Sequence, residues 1–290
     1  MNLKVPKYVQ SEFDGFSFLI DFHARTKGFF LQDITLDFSE TSWFDANLLA
    51  GLGAILSRLE DELNHIRIIN LPSNIATVFK RNQFLSHFGG YKIQDFYRTI
   101  VRYAKFKSSD EQVFKIYLEK ELLSIEGMSN MSGSLRKKVN ESIFEIFNNA
   151  IIHGGCTYVF SCGQHFPKKR RLDFAVADLG ATIKKNVCAY LNKDLTGEEA
   201  IKWAVTEKHT TKTGPIPGGL GLKLIREFIA VNKGRMQIVS ADGFWEQRET
   251  QINSATFQQE FPGTIVNLEF NIDKNYSYGL SSEIDTKNIF

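Results

Sequence analysis

The stretch Glu141-Ser142-Ile143-Phe144-Glu145-Ile146-Phe147-Asn148-Asn149-Ala150-Ile151-Ile152-His153-Gly154 sets a carboxylate, an amide and an imidazole four residues apart inside an apolar helical pattern. Residues at i, i+4 and i+8 share one helical face. Glu145, Asn149 and His153 therefore line one side, while Val139, Ile143, Phe147, Ala150 and Ile151 supply the side that packs on a core. A helix that carries acid and amide groups toward a site can orient water and a metal ion.

Outward from this helix, Gly127 to Ser134 reads as a loop before it, and Glu111 to Ile125 as an amphipathic helix after the polar break Ser108-Ser109-Asp110. Downstream, Thr157 to Cys162 and Leu172 to Ala177 read as strands, followed by a long irregular region. A helix from about Leu220 to Val231, a strand at Met236 to Ser240 and a last strand at Thr264 to Phe270 complete the pattern. Asp178-Leu179-Gly180 follows directly on a strand, so a carboxylate emerges at a strand end, where ligands commonly bind. Such an aspartate can accept a hydrogen bond from an exocyclic amine such as that of adenine, although taken alone Asp-x-Gly is a turn signal. Gly214-Pro215-Ile216-Pro217-Gly218-Gly219-Leu220-Gly221-Leu222 couples a glycine stretch to a helix start, which is either a phosphate cradle or a bare loop. It is neither a Walker loop nor a Rossmann fingerprint. Gly263-Thr264 opens the final strand, where a hydroxyl could complete a purine pocket.

In this order and spacing, the four elements resemble the Bergerat-fold ATP site of the GHKL (HATPase_c) superfamily, and within it most nearly the bacterial anti-sigma factor serine kinases. The resemblance covers about Val113 to Asn271 and rests chiefly on Glu145 to Gly154. It implies ATP and Mg²⁺ as ligands. Asn149 would coordinate the metal, and Glu145 would be the general base. Asp178 would read the adenine amine with Thr264, beside Gly180. Gly218, Gly219, Leu220, Gly221 and Leu222 would wrap the phosphates. Glu198 to Lys212 would be a lid, with Lys208 and Lys212 as phosphate contacts or solvated lid charges. His153 reads as scaffold. Thr182 stands where the family has a second glycine, which narrows the approach to the nucleotide or reshapes the lid hinge.

The amino-terminal third reads as strands at Phe16 to Asp21 and Gly28 to Phe38, then a helix from Ala46 to Leu63 with Asp45 as its N-cap. A strand at His65 to Leu71 follows, then a helix from Ser73 or Asn74 to about His87, stopped by Gly89-Gly90. The run Ile34 to Gly53, with Asp37, Asp45, Ala46 and Asn47, resembles the STAS fold of anti-sigma factor antagonists over about Phe16 to Phe106. In phosphorylatable members of that family a hydroxyl residue follows the aspartate; Ala46 and Asn47 have none. The expected organisation is thus a STAS-like α/β domain over 1–107 and a linker with a leading helix over 108–134. A Bergerat-type ATP-binding domain over 135–273 follows, then a polar, frayed tail over 274–290. The class is α/β (α+β), with a mixed sheet carrying helices on one face.

Composition bounds the rest. At 290 residues, 43% hydrophobic and 23% charged, the chain reads as a globular protein of two domains. The net charge is +2, and Lys168, Lys169, Arg170 and Arg171 form a solvated turn rather than a nucleic-acid surface. Three cysteines, Cys156, Cys162 and Cys188, support neither a disulfide framework nor a zinc site. No secretion signal or membrane span is read, so a cytoplasmic location is expected. Three functions fit: a regulatory ATPase or nucleotide-driven switch coupled to the STAS-like module, a serine/threonine protein kinase acting on a separate protein, or a non-catalytic nucleotide-gated binding module. A regulatory or sigma-type protein partner is expected in each, and a second copy of the chain is a further candidate.

Overall fold

The computed structural model describes residues 1–206, 220–273 and 277–279. The amino-terminal part contains β1 (Asn2–Lys4), β2 (Tyr8–Val9), α1 (Phe13–Thr26), β3 (Asp33–Asp37), β4 (Trp43–Phe44), α2 (Leu49–Asp61), β5 (His65–Ile69) and α3 (Ser73–Arg81). Strands β1, β3 and β5 form a parallel sheet in that order. Both crossovers travel the same way across it, and right-handed connection then puts α1 and α2 on one face.

The remainder contains β6 (Ile100–Lys107), α4 (Glu111–Tyr117), α5 (Gly133–Ile152), β7 (Tyr158–Phe166), β8 (Arg171–Asp178), α6 (Ile183–Leu191), α7 (Gly197–Ala204), α8 (Leu220–Asn232), β9 (Arg235–Arg248) and β10 (Gln251–Asn271). Its sheet runs β6-β7-β8-β10-β9, and every neighbouring pair is antiparallel. The fold class is α+β.

Alternation along a strand decides which layer each side chain joins. Phe174, Val176, Ile238, Val266 and Leu268 point into a core shared with α4, α5 and α8. Ala175, Ala177, Val239 and Ile265 point the other way, into a second core built on Phe16, Leu19, Leu52 and Ile55 of α1 and α2. The five-stranded sheet is therefore covered on both faces, and α1 and α2 are packed between it and the three-stranded sheet.

Several expectations are corrected. The segment Phe16 to Asp21 is helical, because Phe16, Leu19, Ile20 and His23 recur at three and four residues and are buried together. The next strand is confined to Asp33–Asp37. Asp45 sits at the N-cap position of a 3₁₀ turn, Ala46–Leu48, that leads into α2, and its carboxylate does not cap: it accepts from the Ser11 N–H (2.8 Å) and the Trp43 Nε1–H (2.7 Å) instead. The helix at Ser73 stops at Arg81, where Asn82 takes the Phe84 N–H and Gln83 adopts a left-handed φ of 68°; a 3₁₀ turn, Phe84–Phe88, follows. The helix at Glu111 changes to a π turn, Leu118–Leu122.

The sheet is antiparallel rather than mixed, with helices on both faces rather than one. Strand β6, read with the first segment, is hydrogen-bonded to β7. The region read as irregular after Asp178 holds α6 and α7, announced by the Thr182 N-cap and by a capping box between Thr196 and Glu199. Tyr278, within the expected frayed tail, exchanges backbone hydrogen bonds with Asn130 (3.0 Å) and Ser132 (2.8 Å) and sets its ring against Phe228. Cys156 and Cys162 are buried and Cys188 half-buried, all as free thiols. Among the described residues no helix is long and apolar enough to cross a membrane.

Candidate functional site

Helix α5 begins on a Ser132 N-cap, whose hydroxyl accepts from the Leu135 N–H at 3.2 Å. It ends where His153 and Gly154 both donate to the Asn149 carbonyl (2.9 and 3.1 Å) and Gly155 turns left-handed at φ +59°. Beside that end runs the carboxyl end of β8. The two backbones touch: a Cβ on Gly180 would lie 2.4 Å from the Gly154 carbonyl oxygen, and the Ala181 N–H donates to the same oxygen at 2.6 Å. Only glycine fits a crossing this close. The contact delivers Asp178 to the side of α5 that carries Asn149.

In β10, Thr264 lies directly across from Asp178 on one side and from Ser240 of β9 on the other. Thr264 Oγ1 and Ser240 Oγ are 3.1 Å apart, and Ser240 Oγ also accepts the Ile183 N–H at 2.9 Å, tying the start of α6 to the sheet. Asp178, Thr264 and Ser240 thus stand abreast on three strands.

These elements enclose a cavity of about 140 Å³. Asn149 from α5, His153 just past its end, Asp178, Thr264, Asn186 of α6 and Leu222 of α8 contribute to its wall; Ile146, Ala150, Ile183, Val187, Ile238 and Val266 make most of the rest apolar. Pockets that hold a whole drug-sized ligand run to about 300–1,000 Å³. This one is closer in size to a single flat heterocycle.

Asp178 is 5% exposed, and burial pushes its carboxyl up to about 7. The Gly180 N–H, donating to Oδ1 at 2.8 Å, offsets part of that rise. Asp178 also lines the cavity, where its carboxyl is one of the few polar groups. Cys156, which does not line the cavity, is pushed up to about 12 by burial and by the Asp178 charge, so its thiol is a poor nucleophile.

Of the residues expected at a site, Asn149, Asp178, Thr264 and Leu222 converge on this cavity. Glu145 is half-buried one turn before Asn149 and is not part of the cavity wall. Gly180 acts through its N–H and its lack of a side chain rather than by lining the space. Leu220 and Gly221 open α8. Gly218, Gly219, Lys208 and Lys212 lie outside the described residues. The carbonyl of His153 accepts from the Asn186 amide at 3.0 Å, joining the end of α5 to α6.

Thr182 is the N-cap of α6, accepting from the Lys185 N–H at 3.1 Å, so this position starts a helix. Asn186, Val187 and Ser240 carry no expected site role in the sequence, and Trp203 falls within the stretch expected as a lid. The Thr196-x-x-Glu199 signature marks the helix that carries Trp203, whereas nothing local marks Ser240. Among the described residues, no group of three or more His, Cys, Asp and Glu could hold a metal ion. Set against known proteins, the chain matches no protein-family model and no curated protein sequence.

Proposed function

We infer that the chain is an ATP-binding regulatory ATPase, or nucleotide-driven switch, of the GHKL kind, coupled to its STAS-like amino-terminal module. The observation that supports this most is the convergence of Asn149, Asp178 and Thr264, from a helix end and two adjacent strands, on one small apolar cavity. In this reading the adenine ring enters the cavity and its exocyclic amine donates to Asp178. Thr264, held by Ser240, fixes the edge of the ring.

The phosphates extend past Asn149 toward the first turn of α8. The donor set suits a Mg²⁺ shared with the substrate rather than caged by protein, since Asn149 offers one amide oxygen and Mg²⁺ is commonly bound through few protein groups plus phosphates. When bound, the ion supplies charge neutralisation at the phosphate oxygens. Glu145, one turn before Asn149, orients the attacking water and takes its proton.

Coupling to the amino-terminal module follows from strand alternation. Thr264 and Val266 of β10 face the cavity, while Ile265 and Asn267 face the module, where Asn267 accepts from the Asn47 amide at 2.6 Å. One strand separates the two. Ala46 and Asn47 are fully buried and lack hydroxyls, which argues against phosphate transfer to either position.

The test is direct. Calorimetry with Mg-ATP should detect binding, and phosphate should be released on incubation. Glu145→Ala should stop release and leave binding intact. Transfer of labelled γ-phosphate to a purified partner protein would instead favour the kinase reading. Absence of ATP and ADP binding at millimolar concentration would remove both.

A further inference from the structure

Trp203 and Ala204 of α7, in a segment expected to be part of a lid, form one part of the cavity wall. That helix is anchored instead. A Cβ on Gly197 would lie 2.4 Å from the Gly243 nitrogen of β9, and the Gly197 N–H donates to Asp242 Oδ1 at 2.9 Å. The Glu198 carboxylate accepts from Ser254 (2.7 Å) and Thr256 (3.2 Å) of β10, and Lys184 of α6 joins the same Asp242 at 3.0 Å. Arg226 of α8 donates to the Val205 carbonyl just past the helix end. The long β9–β10 hairpin thus clamps α7 where it stands.

Its Trp203 is half-buried, lines the cavity with Ala204, and rests against Tyr190 with ring centroids 5.6 Å apart. Trp43 and Trp245 do not line this cavity.

We propose that Trp203 is the base-stacking residue of this cavity, a specificity wall built in advance by the Gly197–Gly243 crossing rather than delivered by closure over the nucleotide. The inference rests on the nucleotide reading above and adds to it. A flat heteroaromatic ring in this cavity meets the Trp203 indole, apolar side walls and the Asp178 carboxyl at the sheet, so the site selects for a planar amino-substituted base by shape. Recognition of the base then does not depend on the phosphates, and adenosine alone binds.

The experiment compares adenosine and ATP binding, by calorimetry, in wild type, Trp203→Ala and Trp203→Phe, with circular dichroism confirming that each variant is folded. Loss of stacking in Trp203→Ala should weaken both ligands by a similar factor, at least about 5-fold. Trp203→Phe should hold most of the affinity, and adenosine should quench tryptophan emission in wild type but not in Trp203→Phe. If wild type binds and Trp203→Ala binds within about two-fold of it, the inference is overturned while the nucleotide reading stands. If wild type binds ATP but not adenosine, the pre-built wall is overturned. If wild type binds neither, the nucleotide reading falls and takes this inference with it.

Discussion

Replacing Asp178 with asparagine should stabilise the protein at alkaline pH and weaken its ligand binding. The carboxyl is buried and pushed from 3.8 to about 7, which means that the fold favours its protonated form. Its contribution to stability is complete below about 3.8 and is lost as pH rises through about 7; above that, a charge is held inside. At about 1.36 kcal/mol per pH unit, the gap between the two values corresponds to roughly 4 kcal/mol. Asp178→Asn preserves the shape and the oxygen that accepts the Gly180 N–H, yet carries no charge. In urea unfolding it should exceed wild type by up to about 4 kcal/mol at pH 8, with the gap closing toward zero at pH 4.

Asp173, pushed up to about 8 by burial, adds pH dependence of the same sign to both proteins and cancels in the difference. Binding should move the other way, because the asparagine N–H₂ faces the donor of the base; adenosine affinity should drop about ten-fold or more. Gain in stability with loss of function is the mark of a strained functional group. An Asp178→Asn protein less stable than wild type at pH 8 would show that the fold satisfies the ionised carboxylate, and the argument from burial would be refuted.

Gly180→Ala drives a methyl into the Gly154 backbone, where its Cβ meets oxygen at 2.4 Å and carbon at 2.7 Å. A loss of about 1–3 kcal/mol is expected, read as a lowered urea midpoint, whereas Gly133→Ala, with nothing within 4 Å of the new methyl, should be silent. Asn47→Ala removes an amide that donates to Ser11 Oγ (2.7 Å) and Asn267 Oδ1 (2.6 Å) in a fully buried setting. It should cost about 1–3 kcal/mol, and amide exchange should rise first in β1, β3 and β5 if this contact holds the amino-terminal layer to the sheet.

The residues that meet at the cavity were legible where the signal is local. Asn149 and His153 stand four residues apart on a helical spacing, Asp178 follows an alternating strand, and Thr264 opens another. Errors arose where a run satisfies two periods at once. Phe16 to Phe22 is apolar enough to read as a buried strand, and only the burial of Phe16, Leu19, Ile20 and His23 together distinguishes the helix. After Gly180 the helix signal is short, since the capping box of Thr196 and Glu199 opens a helix of only eight residues.

Periodicity, turn chemistry and the four-residue spacing in α5 are properties of neighbours in the chain, and from them the α+β class and the polar face of the central helix follow. Contacts between distant residues do not. Asn47 and Asn267 meet across 220 positions, and the packing of Phe16 and Leu52 against Ile265 buries the second face of the sheet. Gly154 and Gly180 make room for each other in a way that neither position reports alone, and Gly197 with Gly243 does the same for the wall that carries Trp203. Steric fit and hydrogen-bond pairing between such residues depend on where the backbone returns to, so the shape of the cavity, the burial of Asp178 and the fixing of α7 belong to the folded chain.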